Sequence, residues 1–399
     1  MIISKRQLLS LACSVAIVAA WSVPAFSQNK DAIKVGVPTA LTGPYGDLGN
    51  QVRRAVEFAV EEANTKGGVD GRKVEVQFQD TQAKADSARQ QGEKLALSGY
   101  KLLVGTIASG EGLALNPMLE RWDALYISTI NKADALTGES CSPRSFRVNH
   151  PDYSDASAVG TWLKTQQQGK WAVMGSDTAW GRNSGASFKT TAEGMGKSVV
   201  TEGYAALGAN DFAPYIQQFV SSGAEGIWVA LAGRDAINFA QQAAQFGLLK
   251  KVNVAGVSFV TDNTVATLGD VSKGIWGIIN YSSTLDTPEN KAFVAAWGKK
   301  YPGTQPSNFE GETYVGMQVL FQAVTKAKSV KPADVAKAMS GGSFDTVFGK
   351  SELRAKDNQL VVPNYFGRVD THEGGLRPVI SLTVPKDVAT PGPDAKCKM

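Results

Sequence analysis

From Ile33 onward the chain alternates short β-branched runs with longer stretches in which apolar residues recur at helical spacing. Ile33-Lys-Val-Gly-Val37 reads as a strand. Val52, Ala55, Val56, Ala59, Val60 and Ala63 then lie on one face of a helix spanning 52–64. Lys66-Gly67-Gly68 supplies a helix stop, with a cation and glycines at the C-terminal end. Residues 73–78 alternate polar and apolar, as a half-buried strand does. A helix at 85–97, a strand at 102–104, a helix after Gly112 and a strand at 125–128 complete a βαβαβ order. That order implies α/β architecture, a parallel sheet covered on both faces by helices.

The pattern then restarts. Strands are predicted at 170–174, 198–201, 226–229 and 252–255, with helices at 181–195, 212–222 and 234–246 between them. The polar stretch Arg147 to Asp152, broken by Pro151, suits a crossover between two such units. Two further helices are expected at 290–301 and 312–327. Strand-like pieces follow between 344 and 384, and then a Pro- and Lys-rich extended tail over 386–399.

Residues 1–27 stand outside this pattern. Lys5 and Arg6 precede an apolar run from Leu8 to Ala20, and small residues at Ala25 and Ser27 offer a cleavage site before Gln28. The run is shorter than the roughly 20 residues that span a bilayer, so it reads as an export signal, cleaved near Ser27. Cys13 lies too early in it for a lipoprotein cleavage site. Removing Lys5 and Arg6 lowers the formal charge from +4 to +2 over about 370 remaining residues. That length favours two domains. So weak a charge gives no basis for nucleic-acid or membrane-surface binding. Cys141 and Cys397 survive cleavage, and an even count in an exported chain reads as one disulfide. With only His150 and His372 besides, no metal site is indicated, and no cofactor is implied.

Past the first strand come Pro38-Thr-Ala-Leu-Thr-Gly-Pro-Tyr-Gly-Asp47, Glu61-Glu-Ala-Asn64, Gly67-Gly-Val-Asp-Gly71 and Gln79-Asp-Thr81. Further on come Val104-Gly-Thr-Ile-Ala-Ser109, Tyr126-Ile-Ser128, Ser176-Asp-Thr-Ala-Trp-Gly181 and Asn210-Asp-Phe212. In order and spacing these resemble the leucine/isoleucine/valine-binding family of ABC transporter substrate-binding proteins, across essentially the whole mature chain. The resemblance implies two Rossmann-like lobes with parallel sheets, joined by three crossing segments, with the ligand held between them. It places lobe 1 at 33–149 plus 281–350 and lobe 2 at 150–280 plus 351–385. It also implies hinge closure, permease subunits as partners and a monomer.

Ser109 and Gly110 fall between a strand and a helix, at the carboxyl edge of the sheet where ligands sit. On position alone Ser109 reads first as a helix N-cap. The resemblance makes it a hydroxyl donor to a ligand carboxylate, with Gly110 leaving the backbone open. It likewise implies wall positions for Ser128 and Asn131, although Asn131-Lys132 departs from the family's small-residue loop. Tyr45 and Trp180 match positions where the family sets aromatics over the cleft. The amino-acid binders keep a glutamate for the ligand ammonium after the strand near 252–256; here Ser258 stands in its place. An unpaired ammonium in a closed cleft is costly, which favours an aromatic or other organic acid. Asp262 nearby keeps an amino-acid ligand as the alternative. The family's own short disulfide is absent, its regions holding Asp80 and Ala108.

An enzyme finds little support. There is no Gly-x-Ser-x-Gly elbow, and both Gly-Lys-Ser triplets lack the first glycine of a phosphate loop, with Thr191 and Phe344 in its place. A sensory partner role differs from transport only in what receives the ligand.

Overall fold

A computed structural model describes residues Asp31–Met399 apart from Glu373, so the expected export signal and Cys13 lie outside the described residues. The chain builds its first lobe as β1 (Ile33–Thr39), α1 (Gly46–Thr65), β2 (Val74–Asp80), α2 (Ala85–Leu97), β3 (Leu102–Gly105), α3 (Ser109–Leu115), β4 (Leu125–Ser128) and β5 (Ser145–Arg147). These strands form a parallel sheet in the order β2-β1-β3-β4-β5.

After a first crossing, the second lobe runs α4 (Asp152–Leu163), β6 (Lys170–Ser176), α5 (Ala179–Glu193), β7 (Ser198–Ala205), α6 (Ala213–Ser221), β8 (Gly226–Ala230), α7 (Gly233–Gln245), β9 (Asn253–Val257), α8 (Asp262–Leu268) and β10 (Trp276–Ile278). The chain then returns to lobe 1 with α9 (Pro288–Lys300), α10 (Asn308–Ala327), α11 (Pro332–Met339), β11 (Ser343–Thr346), β12 (Gly349–Leu353) and β13 (Leu360–Val361). A third crossing leads to β14 (Asn364–His372), β15 (Gly375–Val384) and the short α12 (Lys386–Ala389). The second sheet is ordered β15-β14-β10-β9-β8-β6-β7, with β14 and β15 antiparallel on an otherwise parallel set.

The α/β architecture in two lobes therefore stands as expected. Residues 351–361, placed in lobe 2 from the resemblance, instead pair through β12 and β13 with β11. Alternate side chains of this small sheet are buried, Phe344, Thr346, Ser351 and Leu353 among them, and α9 and α10 pack against it. The third crossing accordingly falls near Val362 rather than at residue 350. The tail also contains one helical turn, α12, where an extended segment was expected.

Local chemistry sets the helix ends. At α10, Ser307 Oγ accepts the Glu310 N–H (3.3 Å) while Glu310 Oε2 accepts the Ser307 N–H (2.7 Å), a reciprocal cap. α1 ends where Gly68, at φ +85°, donates its N–H to Ala63 O at 2.8 Å. A Cβ there would lie 2.1 Å from Arg72 O, so only glycine fits. Aromatics fill both cores: Phe293 stacks on Tyr314 at 4.0 Å in lobe 1, and Phe188 on Trp228 at 5.0 Å in lobe 2.

Cys141 and Cys397 form the expected disulfide, with Cα atoms 5.6 Å apart. Ahead of it, Val388 O accepts the Ser157 hydroxyl (2.8 Å) on lobe 2, and Pro391 O accepts Arg354 Nη1 (2.7 Å) beside β12. The tail therefore strings back from the second lobe to the first, where the disulfide anchors it. The bridge closes a loop with a sequence separation of 256, for which the chain-entropy model gives about 5 kcal/mol as an upper figure. The paired Cys141→Ser/Cys397→Ser variant is expected to lose about 2–5 kcal/mol in urea unfolding. Reduction of the native protein should reproduce that loss and leave the variant unaffected.

Candidate functional site

The carboxyl ends of both sheets face one cleft, which is lined by residues that follow β1, β3 and β4 in one lobe and β6, β8 and β9 in the other. From lobe 1 come Tyr45 after β1, Ile107 and Ser109 after β3, and Ile130 and Lys132 after β4. From lobe 2 come Thr178 and Trp180 after β6, Ala232 after β8 and Ser258 after β9. Phe309, in the first turn of α10, and Leu48 of α1 add apolar wall.

The lobes are closed on each other. A Cβ on Gly208 would lie 3.1 Å from the Pro44 ring, and one on Gly233 would lie 3.2 Å from Pro44 O and 3.5 Å from the Tyr45 ring. Farther along, the Asp134 N–H donates to Asn183 Oδ1 (2.6 Å) and Asn183 Nδ2 donates back to Asp134 Oδ2 (3.2 Å). The cavity left between them is narrow, about 20 Å³. That is room for about one water and not for an organic ligand.

Ser109 is 2 % exposed, and its Oγ accepts the N–H groups of Lys132 and Ala133, both at 3.0 Å. A hydroxyl has two lone pairs and one proton. Both lone pairs are thereby occupied, and only the proton remains to be given. The loop before it is tied to the first turn of α3. Glu111 Oε2 takes the Ile107 and Ala108 N–H groups at 3.1 and 2.6 Å, which stiffens the loop from within. Gly110 lies beside the cavity without lining it, and its position is uncrowded.

Ser128 and Asn131 sit one layer behind the wall. Asn131 Oδ1 accepts the hydroxyls of Tyr126, Ser128 (2.9 Å) and Thr106 (3.2 Å), and its Nδ2 donates to Ala108 O at 2.8 Å. This buried knot joins the loops after β3 and β4. The structure brings Tyr45, Ser109, Trp180 and Ser258 together at the cavity, and leaves Gly110, Ser128 and Asn131 off its lining.

Trp180 is 7 % exposed, and its indole N–H has no hydrogen-bond partner among the described residues. Ser258 adopts φ +55°, a left-handed conformation that costs a non-glycine residue about 1–2 kcal/mol and marks a constrained position. Tyr45 is buried against lobe 2. Burial, together with the charge of Asp235, holds its phenol well above the ordinary range. Lys132 was noted in the sequence only as a departure from a small-residue loop, and that departure was the available signal. The residue belongs to the cavity lining, and its ammonium pairs with Asp155 at 2.8 Å.

The cavity lining contains no aspartate or glutamate among the described residues. Asp262, the alternative ammonium partner, is off that lining. Burial raises its carboxyl, and Arg377 and the Asn308 N–H act against the rise.

Glu111 is almost wholly buried, and that burial raises its carboxyl from 4.5 to about 7 despite the two amides it accepts. Between pH 4.5 and 7 the folded protein therefore holds a proton that the unfolded chain has released. Stability falls as pH rises through that window and levels off above it. The effect is on the order of 3 kcal/mol. Glu111→Gln, which keeps an acceptor for both amides, is expected to remove this component. The comparison to make is the pH dependence of urea unfolding in wild type and variant.

Similarity to known proteins agrees with this geometry. A family model described as "Periplasmic binding protein" matches residues 32–375. A Leu/Ile/Val-binding protein homolog 2 from Brucella abortus is 27 % identical over 344 residues, covering 83 % of this chain and 88 % of that protein. Two solute-binding protein structures from Rhodopseudomonas palustris share the fold at TM-score 0.83 and 24 % identity. One, in complex with benzoate, covers 92 % of this chain and 100 % of its own. The other, in complex with 3,4-dihydroxybenzoic acid, covers 90 % and 98 %. With a two-lobed fold, an interlobe cleft and a family match over most of its length, the chain belongs to the periplasmic binding protein family.

Proposed function

We propose that this chain is the extracytoplasmic solute-binding component of an ABC importer and captures a small carboxylate, an aromatic acid before an aliphatic one. It is exported by its N-terminal signal, closes its lobes over the ligand and presents the closed form to the permease subunits.

The observation that carries the ligand class is the polarity of the cleft. Ser109 has only its proton to give, Trp180 an unpartnered indole N–H, and Lys132 a cation, while no carboxylate lines the wall. A ligand that accepts hydrogen bonds and carries negative charge satisfies these groups. An ammonium entering the same space would lose its hydration and find no anion on the lining. Tyr45, Trp180 and Phe309 offer ring faces and edges to an aromatic body at little entropic cost. The Rhodopseudomonas palustris proteins bound to benzoate and 3,4-dihydroxybenzoic acid support the same direction.

The test uses the mature chain, unfolded and refolded to strip carried-over ligand. It is challenged with benzoate, 4-hydroxybenzoate and 3,4-dihydroxybenzoate, and separately with leucine, isoleucine, valine and phenylalanine. Acids alone should raise Tm, by an amount equivalent to about 2.7 kcal/mol at a concentration 100-fold above Kd. Ser109→Ala should weaken benzoate by roughly 10-fold or more, the value of one hydrogen bond to a charged group. A rise in Tm with the amino acids alone would overturn the acid reading.

A further inference from the structure

Lys132 faces the cleft on one side and the hinge on the other. Lys132 belongs to the cavity lining, and its ammonium donates to Asp155 Oδ2 at 2.8 Å and to His150 O at 3.2 Å. Asp155 lies in the first turn of α4, just past the first crossing. Its other oxygen, Oδ1, accepts Asn280 Nδ2 (3.2 Å) from the second crossing and Asn364 Nδ2 (2.9 Å) from the third. One buried carboxylate thus gathers all three crossings and a lysine of the cleft wall. Lys132 and Asp155 are 4 % and 2 % exposed in their side chains, so neither charge is shared with solvent.

Two of the three ammonium N–H donors are used in this way. The donor of Ser109 is held next to Lys132, because Ser109 Oγ accepts the Lys132 backbone N–H. Glu312 of α10, buried behind the pair, does not compete as an anion at neutral pH: burial raises its carboxyl to about 8, with Lys132 lowering it and Asp155 raising it.

We propose that the ligand carboxylate takes the third N–H of Lys132 beside the Ser109 hydroxyl. Lys132 thereby selects for a charged carboxylate and couples its arrival, through Asp155, to the hinge. This rests on the ligand being a carboxylate. Occupancy then places the lysine between two anions, the ligand in the cleft and Asp155 at the crossings. Lobe closure and carboxylate binding thus share one cation.

The experiment compares benzoate with its uncharged isostere benzamide by titration calorimetry, and follows the radius of gyration by small-angle scattering. Lys132→Met leaves Asp155 buried without its cation and is expected to lose stability. It is therefore paired with Asp155→Asn in a charge-neutral double variant, and Lys132→Gln, which keeps an N–H donor, provides a second route to a folded protein. Wild type should prefer benzoate over benzamide by about 100-fold and contract on adding benzoate. In either folded variant the preference should fall at least 10-fold, and benzoate should no longer produce the contraction. A folded variant that keeps the wild-type preference overturns the role of Lys132 while leaving the ligand class intact. A wild type that binds leucine but neither benzoate nor 4-hydroxybenzoate overturns the ligand class itself, and this proposal with it.

Discussion

A carboxylate buried at the hinge holds the two lobes in register. Asp155 accepts from Lys132, Asn280 and Asn364, that is, from a loop of lobe 1 and from the second and third crossing segments, while standing at the end of the first. A buried charge of this kind is tolerable only when it is paired and fully hydrogen-bonded, and losing one partner leaves an expensive orphan. The neighbouring Arg147 extends the arrangement. Its guanidinium donates to Gln359 Oε1 (2.6 Å) ahead of the third crossing and to Ala133 O (2.7 Å) in the loop after β4. Gln359 in turn donates to Asn149 O (2.9 Å) at the first crossing. The crossings are thus fastened to one another as a bound sheaf rather than three independent strings.

The same economy governs the cleft wall. The loops after β3 and β4 are irregular backbone brought close to a ligand space, and their polar groups must be satisfied without water. Glu111 and Asn131 do this from behind, taking up amides, hydroxyls and a carbonyl that otherwise face the cavity unmet. What is left facing inward is a short set of donors held by a rigid shell. Such preorganisation lets a small ligand bind without first ordering its site.

The sequence made the repeating α/β units legible because their helices and strands are amphipathic and their periods differ. It hid α4 for a physical reason. Nine of its twelve residues are buried, among them Asp152, Ser154 and Asp155, so polar residues occupy a face that solvent never reaches and the apolar stripe dissolves. β5, β10 and α8, at three, three and seven residues, are too short for periodicity to register. The placement of residues 351–361 with the second lobe came from the resemblance alone; here β12 pairs with β11 just ahead of it and β13 with β12, a local sheet packed on α9 and α10. In the cleft, Tyr45, Ser109, Trp180 and Ser258 were reachable through motif and position. Ser128 and Asn131 sit at the same sheet edge but turn to each other, and sequence does not record which way a side chain points. Lys132 went unread as a cleft residue because an isolated lysine ordinarily reads as solvated surface; only Asp155, twenty-three residues on, gives it a reason to be buried.

Closure itself is lightly held. The lobes meet through small residues, with Pro44 and Tyr45 against Gly208 and Gly233, where an added Cβ would crowd the opposite lobe. The reciprocal Asp134–Asn183 bonds form the latch described above. One neutral bond and one to a carboxylate together contribute about 2–4.5 kcal/mol net. Reversing a two-state balance from 1:99 to 99:1 takes about 5.5 kcal/mol. A ligand that makes two charge-assisted bonds, at about 1.5–3 kcal/mol each, and buries an aromatic ring supplies a term of that size. The latch alone does not. Under the proposed function, closing contacts weaker than the ligand contacts let the balance of lobe closure follow occupancy.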